Sequence, residues 1–284
     1  MLVLRRWIRN GAGCNPSQHS KSRLAQLRTR AALTWFAGTA AGLLVAMDCD
    51  AQTAPSQADD AWHFAVTPYL WTAGLNGSTR IGPTTPINVD ASFSDIANRL
   101  SAALMAAFEA RRDRWLILSD LFYIRLSDTT GPLAGGALGT AKLRLDQTIV
   151  GLGGAYRWYR DEQSFVDIGL GVRYVNLDAH ITFSQSPLLP NGLAHNESVN
   201  WADGIVLIRG SRDLSSRWAI YGYADLGTGG SKWSGQLLAG AQYKWSQLIR
   251  LDVGYRILAE DYDSSNFLYD TRIQGPFLGA RIQF

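Results

Sequence analysis

The chain has 284 residues, of which 46% are apolar, 18% charged and 11% aromatic, with 28 glycines and 9 prolines. That much apolar surface excludes intrinsic disorder. A mean hydropathy of −0.07, with one short apolar run near the N-terminus, excludes a bundle of membrane helices.

Residues 1–30 carry Arg5, Arg6, Arg9, Lys21, Arg23, Arg28 and Arg30 and no acid, and they lead into an apolar stretch from Ala31 to Ala46. Charged then apolar is the order of an export signal, and this stretch is shorter than the roughly 20 residues that span a bilayer as a helix. Small residues at Cys49 and Ala51 suit signal peptidase, with Ser56 and Ala58 as a second choice. Residues 1–51 are therefore expected to be a cleaved signal peptide, 52–61 a short periplasmic segment and 62–284 the folded body. The signal holds 7 of the 27 basic residues and 2 of the 24 acidic ones, which leaves 20 against 22, a net charge of about −2. The formal +3 of the whole chain thus belongs to the address, and no nucleic-acid partner is expected. Cys14 and Cys49 leave with it, so the body has no thiol for a disulfide or a thiolate metal site.

From Trp62 onward, alternation with period two recurs in segment after segment, the signature of strands with two different faces. In chain order, strands are expected near 62–72, 100–111, 115–127, 140–159, 164–183, 199–212, 217–227, 232–245, 248–259 and 267–284. The interval 73–99 is ambiguous. Asn76 and Gly77 signal a tight hairpin turn, and Arg80 to Val89 could form further strand; a hairpin rising above the membrane keeps ten strands, and one crossing it gives twelve. Ala97 to Ala107 reads as a short helix from Leu100, Leu104 and Phe108 at four-residue spacing, or as a strand in which Ala102, Leu104, Ala106 and Phe108 alternate. The hairpin closed at 111–114 favours the strand.

Within 164–183, Val166, Ile168, Leu170, Val172 and Tyr174 alternate with Asp167, Gly169, Gly171 and Arg173. Within 248–259, Ile249, Leu251, Val253, Tyr255 and Ile257 alternate with Arg250, Asp252, Gly254 and Arg256. This pattern alone fits a soluble sandwich as well as a barrel. Three features select a membrane barrel. The oily faces end in Trp115, Tyr156, Trp158, Trp218, Tyr243 and Trp245 beside tight turns, as an interfacial girdle requires, and short turns alternate with longer connections. The chain also closes on Leu278, Ala280, Ile282 and Phe284 at alternate positions, an ending that resembles the sorting signal of Gram-negative outer-membrane proteins, with Ile282 and Phe284 presented to the barrel-assembly machinery.

The motifs TPYLW at 67–71, NVDASFSDI at 88–96, FEARRDRW at 108–115 and DLFYIRLSD at 120–128 resemble a family of uncharacterised Gram-negative outer-membrane β-barrel proteins of the small, porin-like kind. The resemblance implies fold and outer-membrane location, and carries no catalytic or binding residue. The fold class expected is all-β, an antiparallel up-and-down transmembrane barrel of about ten strands, with eight or twelve as alternatives, both termini periplasmic and lipid as its surroundings.

With the oily faces toward lipid, the opposite faces place Glu109, Asp120, Asp167, Asp225 and Asp252 together with Arg157, Arg173, Arg209, Lys244, Arg250, Arg256 and Arg281 inside a narrow tube. Each charge is then either neutralised by neighbours and water, since an unpaired ion in a restricted interior is costly, or part of a selectivity lining for small anionic solutes. Ten strands enclose little more than the eight-stranded barrels that side chains fill, which favours the internal network.

Candidate enzymatic residues lie at the rim. Asp178 and His180, with Asp261 and Asp263, resemble the pairs of omptin-type outer-membrane proteases, in which a carboxylate and a histidine activate water. Both pairs continue the lipid-facing phase and are expected to point outward. Asp261, Asp263 and Ser265 begin like a calcium loop, but Asn266 replaces the needed glycine and Arg272 the closing acid; no metal or cofactor site is read. Three functions remain: a small pore or structural envelope component, a surface-interaction barrel acting through 73–99 and 184–198, and a rim enzyme, protease or lipid A-modifying.

Overall fold

A computed structural model describes residues 61–81, 85–130, 139–187 and 190–284. The expected signal peptide and residues 52–60 lie outside the described residues. The elements are β1 His63–Trp71, β2 Gly74–Ile81, β3 Ile87–Ala91, α1 Phe93–Ala97, β4 Leu100–Arg112, β5 Trp115–Thr129, β6 Ala141–Arg160, β7 Ser164–Phe183, β8 Leu193–Asp213, β9 Trp218–Gly229, β10 Trp233–Lys244, β11 Ile249–Asp263 and β12 Phe267–Gln283.

Ten of these strands close a barrel. β1 pairs with β4, each strand from β4 to β12 pairs with the next, and β12 returns to β1, always antiparallel. Closure removes the unpaired edges that hydrocarbon would not solvate. The seam is locked where the first and last barrel strands meet: the backbone N–H of Phe284 donates to the carbonyl of Phe64 and that of Phe64 to the carbonyl of Phe284, both at 3.0 Å, and the two rings stack at 6.0 Å.

The interval after β1 adds no crossing. β2 continues β1 along the same neighbour, pairing with Phe267 to Gln274 of β12 where β1 pairs with Phe277 to Gln283, and β3 folds back on β2. Asn76 and Gly77 are not a turn but lie inside β2, opposite Arg272 and Thr271. A Cβ on Gly77, whose φ is +149°, would lie 2.1 Å from the carbonyl oxygen of Asp270, so this glycine answers a close backbone approach and not a reversal. The helix falls earlier than 97–107: Ser92 caps α1, its Oγ accepting from the N–H of Asp95 while the Asp95 carboxylate accepts from the N–H of Ser92, a capping box. From Leu100 the chain is strand. β8 begins at Leu193, six residues earlier than 199, and β11 runs to Asp263, past 259.

The two faces of the long strands β7 and β11 exchange polarity part-way along. On β7 the outward positions run Ile168, Leu170, Val172 and Tyr174, all exposed, and then Asn176, Asp178, His180 and Thr182; the inward positions run Asp167, Gly169, Gly171 and Arg173, and then Val175, Leu177, Ala179 and Ile181. β11 repeats this, with outward Val253 and Tyr255 giving way to Asp261 and Asp263. The half nearer the short turns is therefore oily outside and charged inside, and the half nearer the longer loops is polar outside and oily inside. Leu104, Leu152, Val206, Leu226, Leu237 and Leu278 carry the exposed apolar band around the rest of the ring. A soluble monomer does not expose so contiguous a band, which is the lipid-facing belt of a transmembrane barrel. Trp115 packs edge-on against Tyr156 at 5.1 Å and Trp218 against Tyr243 at 4.9 Å at its turn end, and Trp158 and Trp245 are exposed there as well.

Strand length follows the exchange. β6 and β7 have 20 residues and β8 has 21, where roughly 9–11 cross a bilayer. The remainder stands clear of the belt. Leu170, at the middle of the β7 belt, gives the direct check. Leu170→Arg is expected to destabilise the barrel in lipid vesicles by about 2–4 kcal/mol, whereas Thr182→Arg, on the same face beyond the belt, is expected to change stability by less than about 0.5 kcal/mol; urea unfolding in vesicles reads both.

Candidate functional site

The inward charges lie in layers stacked along the barrel axis. Nearest the turn end, the Asp167 carboxylate is completely buried and takes three guanidiniums: Arg157 at 2.8 Å, Arg209 at 3.0 Å and Arg111 at 3.1 Å. All three lie over the Phe165 ring, Arg157 closest at 3.9 Å from its centroid. Arg209 reaches on to Glu109, which also takes Arg281. The alternation that turns oily side chains outward on β4, β6, β7, β8 and β12 turns these groups toward the bore, which Arg209 of β8 spans to reach Glu109 of β4.

One layer further in, Arg256 donates to Asp120 at 2.6 Å, to the Tyr69 hydroxyl at 2.8 Å and to Gln236 at 2.7 Å, with its guanidinium 4.7 Å from the Trp71 ring centroid. Beside it, Arg173 grips both oxygens of Asp225 at 2.6 and 2.7 Å and also donates to Ser234. Both contacts to Asp225 come from Nη2 while Nη1 goes to Ser234, and such charge-assisted bonds are what lets buried ions persist. Arg250 and Asp252 are linked through one amide: Arg250 donates to Gln242 Oε1 and Gln242 Nε2 donates to Asp252. Lys244 is half-buried at the turn end of β10, opposite Arg250.

Three inward charges were not in the sequence-based set. Arg111, assigned to a turn, is the third partner of Asp167. Asp203 is fully buried and accepts from the N–H and the hydroxyl of Ser231 at 2.8 and 2.6 Å. Glu260 is buried with neither oxygen hydrogen-bonded among the described residues. Asp203 shares the phase of Arg209, and Glu260 that of Arg256, so continuing the alternation past the belt finds both.

Above the charged layers the bore is filled. Trp71, Met105, Phe122, Ile124, Ile149, Val175, Leu177, Trp201, Leu258, Tyr269, Ile273 and Phe277 form one buried apolar cluster. Tyr221 of β9 and Leu238 of β10 pack against it, so all ten barrel strands contribute to the layer. Trp71 meets Phe122 edge-on at 5.5 Å and donates from Nε1 to the carbonyl of Gly275; Trp201 stacks on Tyr262 at 4.4 Å. What remains of the lumen is a blind cavity of about 560 Å³ whose lining runs from Asp161, Glu162 and Gln163 at the turn end to Tyr69, Tyr223 and Gln236. At that mouth Asp161 accepts from the Tyr159 hydroxyl and from the N–H groups of Gln163 and Ser164, which holds its carboxyl below the usual range.

The rim candidates do not come together. Asp178 accepts from Asn176 on its own strand, the Nδ1 of His180 bonds Asn196, and Asp263 takes Arg80 and Lys232 on the far side of the ring, with Asp261 beside Lys232. All four are on outward positions of β7 and β11.

Asp167 is the keystone of the innermost layer. Asp167→Asn is expected to leave three guanidiniums around a neutral amide and to cost about 3–5 kcal/mol, read by urea unfolding in lipid; a loss below about 1 kcal/mol would show that water already screens the cluster.

No protein-family model matches the sequence, and no curated protein matches it. Among solved structures the barrel is similar to the outer membrane protease OmpT from Escherichia coli, at 8% identity over 81% of this chain and 99% of that one, with a TM-score of 0.50. It is also similar to Ail, the attachment invasion locus protein of Yersinia pestis, at 13% identity over 78% and 98% with a TM-score of 0.36, and to Neisserial surface protein A, at 12% identity over 78% and 97% with a TM-score of 0.32. At such identities the likeness is one of fold: the chain has the architecture of the Gram-negative outer-membrane β-barrels.

Proposed function

We propose that the protein is inserted in the outer membrane of a Gram-negative cell, its termini and short turns in the periplasm, and acts as a surface-interaction barrel and not as a pore. In this reading residues 1–51 are the export signal, and the closing strand with Ile282 and Phe284 is the segment offered to the assembly machinery. The observation that carries the reading is the exchange of polarity along the long strands. The loop-end half has an oily interior and a polar exterior, the make-up of a water-exposed β-domain, and it rests on a bore already filled by Trp71, Phe122, Val175 and their neighbours. A chain serving only to pass solutes has no use for strands twice as long as the bilayer needs, or for an apolar layer across its own lumen.

The extension is also shaped for contact. β9 and β10 have only 12 residues each, so the turn between them is low, and the N–H of Gly230 donates to the carbonyl of Ala202. Above that point β8 pairs with β7 alone. From Leu193 to Trp201 it therefore offers an open strand edge at the rim, a ready template for an added strand. The rim-enzyme reading has no converging pair to rest on.

Two measurements test this. Purified protein in planar bilayers is expected to give no conductance steps, and a steady conductance proportional to added protein would overturn the reading. On intact cells, a membrane-impermeant maleimide is expected to label Asn191→Cys in the β7–β8 loop and to spare Glu162→Cys in the short turn. The opposite pattern would invert the proposed orientation.

A further inference from the structure

Where β10, β11 and β12 adjoin near the turn end, the inner wall sets cations side by side with few carboxylate partners. Lys244 of β10 is the direct cross-strand partner of Arg250 of β11, and Arg250 that of Arg281 of β12, so three cations stand side by side on one face, an arrangement that repels itself. Among the described residues only Arg281 of the three forms an ion pair with a carboxylate, Glu109, which it shares with Arg209. Arg250 has none: it donates from Nη1 to Gln242 at 2.9 Å, and its buried Nε has no partner. One strand beyond β1, Arg111 is the third guanidinium on Asp167, and one of its terminal nitrogens is buried without a partner. Around the cavity Arg111, Arg157, Arg209, Arg250 and Arg281 stand with Glu109 and Asp252, Asp167 lies behind them, and at the turn-end mouth Arg160 stands with Asp161, Glu162 and Asp213. The guanidiniums with orphaned nitrogens, Arg111 and Arg250, are the ones the carboxylates fail to satisfy.

These groups border the blind cavity, whose lining includes Arg111, Arg209, Arg250 and Arg281. Its volume of about 560 Å³ lies within the roughly 300–1,000 Å³ usual for small-molecule sites, and its lining reaches the short turns while the apolar layer shuts the other side. Guanidinium forks match planar or tetrahedral oxyanions two bonds at a time, and a wall with several unmatched cations favours a ligand with more than one negative charge. We propose that this vestibule binds a small polyvalent oxyanion, phosphate-bearing or polycarboxylate, entering from the turn end, with Arg250 and Arg111 in its lining supplying the unmatched N–H groups and Lys244, directly across from Arg250, adding positive charge beside them. The ligand completes an electrostatic network that the chain leaves unfinished.

The test uses the full folded barrel in zwitterionic detergent, titrated calorimetrically with inorganic pyrophosphate and with citrate at fixed ionic strength in chloride. One saturable site is expected for at least one probe, and which of the two binds distinguishes a phosphate from a polycarboxylate source. Lys244→Gln with Arg250→Gln is expected to weaken binding by about ten- to a hundredfold, while Arg250→Lys, which keeps the charge and loses the fork, is expected to fall between. Removing like charges from facing positions is expected to leave the unfolding transition of the double variant no lower than that of the parent. Arg111→Gln, with Asp167 still held by Arg157 and Arg209, provides an independent variant with the same expected direction. Absence of saturable binding for both probes, unchanged affinity in the double variant and in Arg111→Gln, or equal competition by chloride would each overturn the proposal.

Discussion

A β-strand gives alternate side chains to opposite faces, and a closed barrel turns one of those faces toward its axis for the whole length of the strand. In this chain that constraint is met twice with opposite sign. Near the short turns the exterior must satisfy hydrocarbon, so the charge goes inside; nearer the loops the exterior meets water, so the oil goes inside. The crossover falls between Arg173 and Val175 on the inner face of β7 and between Tyr174 and Asn176 on its outer face. The belt, the charged layers, the filled bore and the projecting rim all follow from where it falls.

Charges confined inside a belt are costly unless paired, because desolvating an ion costs several kcal/mol and a well-placed partner recovers it. The layers around Asp167, Glu109, Asp120 and Asp225 meet that condition with short, shared contacts. Arg256 joins the charged region to the oily one, bonded to Asp120 on one side and lying over Trp71 on the other. The apolar cluster then gives the upper half a core of its own. Such a barrel is filled across its middle.

Much of the architecture was legible in the sequence because the belt imposes period two without interruption: strand 164–183 was readable to both ends. The misreadings fall where local pattern and long-range contact disagree. Asn76 and Gly77 carry the strongest local turn signal in the interval after β1, yet Gly77 is glycine because the backbone of β12 passes so close, and no local rule reports that. The first residues of β8 were read as loop because His195 to Ser198 are polar on both faces, with His195 and Glu197 alternating with Asn196 and Ser198, and water on the outside erases the contrast that marks a half-buried strand. The apolar layer is the instructive case. Tyr174 and Val175 are adjacent apolar residues, and that doublet is where the oily phase slips by one. Extending the outward phase through Asn176, Asp178 and His180 placed those residues outside, and the same step applied to Val175 and Leu177 would have revealed a filled bore. Which charges pair with which was not legible, because Arg209 with Glu109 and Arg256 with Asp120 join strands far apart in the sequence.

The exchange of polarity can be measured directly along a single strand. Spin labels placed one at a time at the outward positions 168, 170, 172, 174, 176, 178, 180 and 182 of β7, in barrels reconstituted in lipid, report whether each site meets hydrocarbon or water by relaxation with oxygen or with a soluble nickel complex. Oxygen is expected to dominate through 174 and the nickel complex from 176 onward, with the change completed within one or two positions. A uniform response along the strand, of either kind, would contradict the account at its root.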